Sequence, residues 1–289
     1  MNFISAILVP LNGSEIARCS LGCAAWLASR LGARLHILYS GEPLPAEQAL
    51  DHLGVAQQYR PLVELHQTRG EPTADILAAI ERLRIGLIVM TARGQSAADM
   101  TGSPFEPVGH VARAVIEQSP VPVLVLPRAY EEAVPWRSAL VPVSGEVETD
   151  QSLMLALQLA KALDLDVTVA HVVQDAQAGK GGLRYMDEAH HEYPQMLNEL
   201  ISRACPLCGP AERGRISDFR LYRGDVAREL LDLIEQKHMD AVIVGWHGFF
   251  EAGHAHVLKA LLQGLRRPVL LVKPRPKEPF RLKVGDALA

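Results

Sequence analysis

An internal duplication constrains the fold of this chain more than any other feature of its sequence. The opening segment SAILVPLNG at residues 5–13 returns as SALVPVSG at residues 138–145. Farther along, each half carries two glycines that are 24 residues apart: Gly70 with Gly94, and Gly224 with Gly248. Self-similarity over such a span indicates two copies of one structural unit.

The length of the chain also predicts two domains. Its 289 residues correspond to two domains of about 150 residues each, and 48% of them are apolar, which suffices for two hydrophobic cores. We expect one domain at residues 1–130, a second at residues 136–274 and a proline-rich tail at residues 275–289. An extra segment around residues 175–215 makes the second domain the longer one.

Composition and charge argue against several classes of partner. The formal net charge is −4 and only 5% of the residues are aromatic, so no basic, base-stacking surface for nucleic acid is expected. No apolar run reaches the ~18 residues that span a bilayer, and no secretory leader is evident, which predicts a cytoplasmic protein without a membrane partner. The four cysteines do not have the pattern of the disulfide framework of a small secreted protein, which is consistent with a protein of a reducing compartment.

Short apolar runs alternate with amphipathic stretches in both halves. Residues 4–10 form such a run, the Asn-Gly turn at residues 12–13 ends it, and Ser14 is placed to cap the following helix. The runs at residues 87–90 and 241–244 are continuously apolar, which is typical of parallel strands buried on both faces. Five strands per half predict two doubly wound, Rossmann-like α/β domains with parallel sheets.

Three patterns resemble those of the universal stress protein family. They are the opening strand and turn, the Gly-Glu-Pro and Gly-Asp pairs before a helix at residues 70–72 and 224–225, and the closing strands at residues 120–126 and 267–272. The resemblance implies a tandem member with a role in the stress response. It also implies a nucleotide pocket built on a G-x2-G-x9-G-Ser/Thr motif, whose backbone amides and helix N-terminus bind phosphate oxygens.

The resemblance further implies that the two halves pack as a pseudo-twofold pair through their closing strands. Family members commonly dimerise through this last strand, and an unpaired apolar edge strand promotes aggregation. Residues 121–126 and 269–272 should therefore lie side by side. The whole chain is then either a monomer with two pseudo-twofold halves or a homodimer.

The first half departs from the family motif. Thr91 occupies the position of the first glycine, and His110 that of the serine or threonine. Fourteen residues separate Gly94 from Gly109, where the motif has nine. Asn12 replaces the acidic residue that contacts the nucleotide in nucleotide-binding members. The ligand contacts implied for this half are Asn12, Gly94 and Gly109.

The second half keeps the first two glycines of the family motif, Gly245 and Gly248. Only six residues follow before Ala255-His256, which replaces the Gly-Ser/Thr pair, so this loop is three residues short. Val172 stands where nucleotide-binding relatives carry a base-contacting residue, whereas the first half has Ser40 there. The ligand contacts implied for this half are Ser144, Val172, Gly245, His247, Gly248 and His256.

Three interpretations of these altered loops stay open. At least one half binds ATP or another adenine nucleotide, or the loops merely connect strand to helix, or the pocket at the strand ends holds a different small molecule. The third is favoured slightly because His110 and His256 occupy the same motif position.

No catalytic motif is recognisable, so no catalytic residue is predicted and an enzyme is not the preferred interpretation. We expect a ligand-sensing or interaction module with degenerate nucleotide-binding loops. The alternative is an ATP-binding protein or slow ATPase that uses the loop at residues 245–248.

The cysteines form two pairs with different surroundings. Cys19 and Cys23 lie one turn apart on the apolar face of the first predicted helix, which favours core packing. Cys205-Pro-Leu-Cys208-Gly209 has the form of a zinc knuckle, which supplies two of the four ligands of a structural site. Zinc ligands, a redox-active or slowly oxidised pair, and inert loop thiols are the alternatives for Cys205 and Cys208.

Replacing both Cys205 and Cys208 by serine should leave the α/β cores folded. The pair lies in the extra segment, outside the duplicated unit, and the first half has no counterpart. Thermal melts of the double variant measure the effect. A loss above ~3 kcal/mol, the scale of a deleted structural cross-link, would show that the pair holds the fold together.

Overall fold

The computed structural model describes residues 4–92, 108–127, 130, 134–144, 147–174, 193–204, 206, 208–248, 250, 255–264 and 266–274. The predicted tail at residues 275–289 lies outside these ranges. Among the helices that they contain, none combines the length and the apolar character needed to cross a bilayer.

Strands and helices alternate through both halves, as the sequence predicts. The first half contains β1 (Ala6–Leu11), α1 (Glu15–Leu31), β2 (Arg34–Ser40), α2 (Ala46–His52), a 3-10 helix (Gln57–Leu62), β3 (Val63–Thr68), α3 (Pro72–Arg82), β4 (Leu87–Thr91), α4 (His110–Gln118) and β5 (Val123–Leu126). The second half contains β6 (Ser138–Pro142), α5 (Val147–Leu163), β7 (Asp166–Gln174), α6 (Tyr193–Ala204), α7 (Pro210–Arg213), β8 (Ile216–Gly224), α8 (Val226–Gln236), β9 (Ala241–Gly245), α9 (His256–Gly264) and β10 (Val269–Val272).

The ten described strands form one continuous sheet in the order β3-β2-β1-β4-β5-β10-β9-β6-β7-β8. All pairs within a half are parallel, and the order in the second half mirrors that in the first. The halves meet through β5 and β10, which pair antiparallel with Leu124 opposite Leu270 and Val125 opposite Val269. The predicted α/β fold and the predicted pairing of the closing strands are confirmed.

Helices cover both faces of this sheet. On one face α1 and α5 share a single apolar cluster that includes Leu27 and Leu153. On the other face α3, α4, α8 and α9 cover a second cluster, to which Ile76 and Leu230 belong. All five residues of β4 are buried, in keeping with its continuous apolar sequence.

Local capping fixes where several helices begin and end. The Ser14 side chain accepts a hydrogen bond from the Ala17 amide at 3.3 Å, so α1 begins at the predicted position. Gly32 ends α1 in the left-handed conformation, with φ of 61°. The side chains of Glu71 and Asp225 cap the first turns of α3 and α8 in the same way.

The connections between the second and third strands differ most between the halves. The first half places α2 and the 3-10 helix there, neither of which the sequence analysis predicts. Helix α2 buries only Ala49 and Leu50, so its apolar pattern is too short to be recognised. In the extra segment of the second half, α6 is held to α5 by two hydrogen bonds of 2.6 and 2.8 Å from the Arg203 guanidinium to Asp150.

Truncating Leu124 to alanine should destabilise the whole chain by about 2–5 kcal/mol. Its side chain is only 1% exposed and lies at the junction of the two halves, where the cavity cannot collapse easily. Leu62→Ala is the matched control because Leu62 is 49% exposed, and it should change stability by less than about 0.5 kcal/mol. Urea denaturation of the full chain measures both. Equal losses in the two variants would contradict a closely packed junction.

Candidate functional site

Two pockets lie at corresponding places, one in each half, at the carboxyl ends of the central strands. In the first half the chain leaves β1 for β2 on one side, while β4 pairs with β1 on the other. The second half repeats this arrangement with β6, β7 and β9. Such a switch in strand order opens a crevice, which is where doubly wound α/β folds bind ligands.

The pocket of the first half is small, about 170 Å³. Asn12 after β1, Ser40 at the end of β2 and Gly109 before α4 line it. The Asn12 side chain also accepts a hydrogen bond from the Ser14 amide at 3.1 Å, so it shapes the turn into α1. The structure thus brings Asn12 and Gly109 to one pocket, and Gly94 lies outside the described residues.

The pocket of the second half is more than twice as large, about 390 Å³. Drug-sized ligands occupy pockets of about 300–1,000 Å³, a range that includes this pocket but not its counterpart among the described residues of the first half. Its lining includes five of the residues singled out from the sequence: Ser144, Val172, Gly245, His247 and His256. Their contact with a ligand stays a prediction.

Gly248, the sixth of those residues, shapes the loop rather than the lining. Its φ is +102°, in the region that favours glycine, and a Cβ there would stand 3.2 Å from Cε of Lys273. The Gly248 position is buried. Only glycine fits this turn without strain. The turn keeps the loop after β9 close to Lys273, which follows β10.

Lys273 ties this loop to the first half of the chain. Its ammonium group donates a hydrogen bond to the backbone carbonyl of Glu117 in α4 and lies 5.7 Å from the centre of the Trp246 ring. Burial lowers the pKa of Lys273, and the Glu117 carboxylate opposes this shift. The Glu117 side chain accepts a hydrogen bond from the Phe250 amide at 3.0 Å. The loop is therefore anchored on a helix of the other half.

The second pocket is mostly apolar, with a few polar groups. Its described lining residues include serine, threonine and histidine but no Asp, Glu, Lys or Arg. The first turn of α9 also faces the pocket through Ala255, His256 and Val257, so the unpaired N–H groups of that turn are near. The described lining can accommodate an apolar ring and offer hydrogen bonds to a polar group, and it contains no lysine or arginine.

His171 is a lining residue that the sequence analysis missed. Its Nδ1 lies 2.8 Å from the Val143 carbonyl oxygen, which can only accept, so Nδ1 carries a proton. In the neutral ring Nε2 then keeps its lone pair. In the sequence, only its position next to Val172, near the carboxyl end of β7, indicated that His171 lines the pocket. Trp246, also in the lining, was missed as well.

The two predicted cysteine pairs differ in how far the structure describes them. Cys208 is buried and disulfide-bonded, and Cys205 lies outside the described residues. The roles of Cys205 and Cys208 stay predictions. Cys19 and Cys23 are free thiols, and burial raises the pKa of Cys23. Cys23 packs in the core.

Comparison with known proteins places the chain in a family. The family model described as Universal stress protein family matches twice, at residues 4–127 and 135–273. A search of curated protein sequences finds no significant match.

Several solved structures share the fold over the full chain. A putative universal stress protein from Pseudomonas aeruginosa UCBPP-PA14 has a TM-score of 0.67 at 16% identity, and 95% of each chain is covered. A functionally unknown protein from P. aeruginosa PAO1 also has a TM-score of 0.67 at 16% identity, over 95% of this chain and 94% of that one. A universal stress protein from Archaeoglobus fulgidus DSM 4304 has a TM-score of 0.63 at 17% identity, over 94% of this chain and 98% of that one.

These structural likenesses show the fold, and the two matches of the family model cover most of the sequence. The chain is a tandem protein that belongs to the universal stress protein family.

Proposed function

We propose that this chain is a ligand-binding module of the stress response whose working pocket is the one in the second half. The observation that carries the proposal is the pocket of about 390 Å³, which gathers Ser144, Val172 and His256 at the carboxyl ends of the strands. The corresponding pocket of the first half measures about 170 Å³ among the described residues, below the ~300 Å³ at which drug-sized sites begin.

The proposed ligand is an adenine nucleotide that binds weakly. The apolar walls near Val172 suit the base, and the first turn of α9 suits the phosphates through its free amides. The loop after β9 is three residues shorter than the family motif, which removes amides that would otherwise wrap the phosphates. Each lost charge-assisted hydrogen bond costs ~1.5–3 kcal/mol, and losing two weakens affinity roughly a hundredfold or more.

A slow ATPase is the alternative function. It is favoured by the loop at residues 245–248, which keeps both of its glycines and is anchored by Lys273. Against it, the titratable groups among the described lining residues are histidines, and none of those residues has a carboxylate to orient a water molecule. Phosphate release from ATP by the full chain, compared with the Gly248→Val variant, separates binding from hydrolysis.

Filling each pocket in turn tests which half binds. Val172 and Ser40 hold equivalent positions at the ends of β7 and β2, so Val172→Trp and Ser40→Trp are a matched pair. Calorimetric titration of ATP into the full chain should show weak binding that Val172→Trp abolishes and Ser40→Trp leaves unchanged. Gly248→Val should also weaken binding because it strains the loop.

The opposite pattern would contradict the proposal. Binding lost in Ser40→Trp but kept in Val172→Trp would place the site in the first half. Binding indifferent to Gly248→Val would show that the loop after β9 does not contribute.

A further inference from the structure

Two histidines and a glutamate meet on the outer strands of the first half, away from both pockets. Strands β2 and β3 pair in parallel with His36 opposite Glu64 and Leu38 opposite His66. Side chains two residues apart on a strand share a face, so His36, Glu64 and His66 all lie on one side of the sheet. One potential ligand atom from each lies within 4.8 Å of the others.

The distances suit the coordination shell of a metal ion. His36 Nδ1 is 3.1 Å from His66 Nε2 and 3.4 Å from Glu64 Oε2. Ligand atoms at ~2.0–2.1 Å from a tetrahedral zinc ion are about 3.3 Å from one another. The three groups therefore hold their donor atoms near the spacing of a tetrahedral site.

His36 is buried, and its Nδ1 forms a hydrogen bond with His66 Nε2. Its side chain is 1% exposed, and its Nε2 is buried without a hydrogen-bond partner among the described residues. Either nitrogen of an imidazole ring can carry the lone pair that binds a metal, and Nδ1 is the nitrogen of His36 that faces His66 and Glu64.

Solvent can reach the cluster through Glu64, whose side chain is 50% exposed. Arg34 lies 3.9 Å from Glu64 Oε1, whereas Oε2 is the oxygen that faces His36. The Arg34 side chain is itself exposed and does not occupy the ligand oxygen. An ion could therefore enter from the Glu64 side and keep water as a fourth ligand, as in sites of two histidines and one carboxylate.

The second half provides an internal comparison. The register of β6, β7 and β8 places Thr168, Asp218 and Arg220 where the first half has His36, Glu64 and His66. Arg220 Nε donates a hydrogen bond to Asp218 Oδ2 at 2.6 Å. The second half thus carries its own cation beside the carboxylate. The first half has two imidazole rings in its place.

We propose that His36, Glu64 and His66 bind a divalent transition-metal cation, with zinc favoured by the two nitrogen donors and one oxygen donor. This site is separate from the proposed nucleotide site. His36 stands four residues before Ser40 on β2, about 13 Å along the strand from the end that lines the pocket. The proposal therefore does not depend on nucleotide binding.

Cobalt is the probe for this site because tetrahedral Co²⁺ absorbs visible light. The full chain, freed of metal with a chelator, is titrated with Co²⁺ and then with Zn²⁺ as competitor. We expect one ion per chain, displaced by Zn²⁺. His66→Gln and Glu64→Gln should each weaken binding by at least the ~10–100-fold that loss of an outer-shell partner costs. Both residues are partly exposed, so these variants should fold, which circular dichroism checks.

Two control variants make the test specific. Asp218→Asn applies the corresponding substitution to the second half, and the double Cys205→Ser, Cys208→Ser variant removes the sulfur ligands; neither should change Co²⁺ affinity. Absence of binding to the unaltered chain would overturn the proposal. Binding that survives both His66→Gln and Glu64→Gln, or that is lost with the cysteines, would overturn it as well.

Discussion

The antiparallel pairing of β5 with β10 is the contact on which the rest of the molecule depends. It joins two parallel five-stranded units into one sheet, and it buries the apolar edge that each half would otherwise expose. The same junction allows α1 and α5 to share one apolar cluster across the two halves. A duplicated sequence thereby forms a single structure, in which the two copies of the pocket are held in a fixed relation.

That junction also brings the loop after β9 into contact with the first half. Phe250, in the loop after β9, donates its amide hydrogen bond to the Glu117 carboxylate of α4. Lys273, which follows β10, lies over the Trp246 ring of the loop and donates a hydrogen bond to the Glu117 backbone. Arg113 of α4 lies 6.0 Å from the Phe250 ring and adds to the contact. One half thus supports the loop that borders the pocket of the other.

Much of the fold could be predicted from the sequence because its signals are local. The Ser14 cap and the continuous apolar run of β4 each specify an element directly. The 3-10 helix and α2 escaped prediction because they bury little apolar surface. Residues that only the pairing of strands brings together could not be recognised from the sequence. His36 and Glu64 are far apart in sequence but lie opposite each other on β2 and β3. The orientation of the His171 ring is evident only from its contact with the Val143 carbonyl.

We propose that of the two pockets only the one in the second half binds a nucleotide. Hydrogen–deuterium exchange of the full chain, with and without saturating ATP, locates a bound ligand by backbone protection. We expect slower exchange at residues 245–248 and 255–258, with no change at residues 91–92 and 109–112. Protection confined to the latter two segments, or equal protection in both halves, would contradict it.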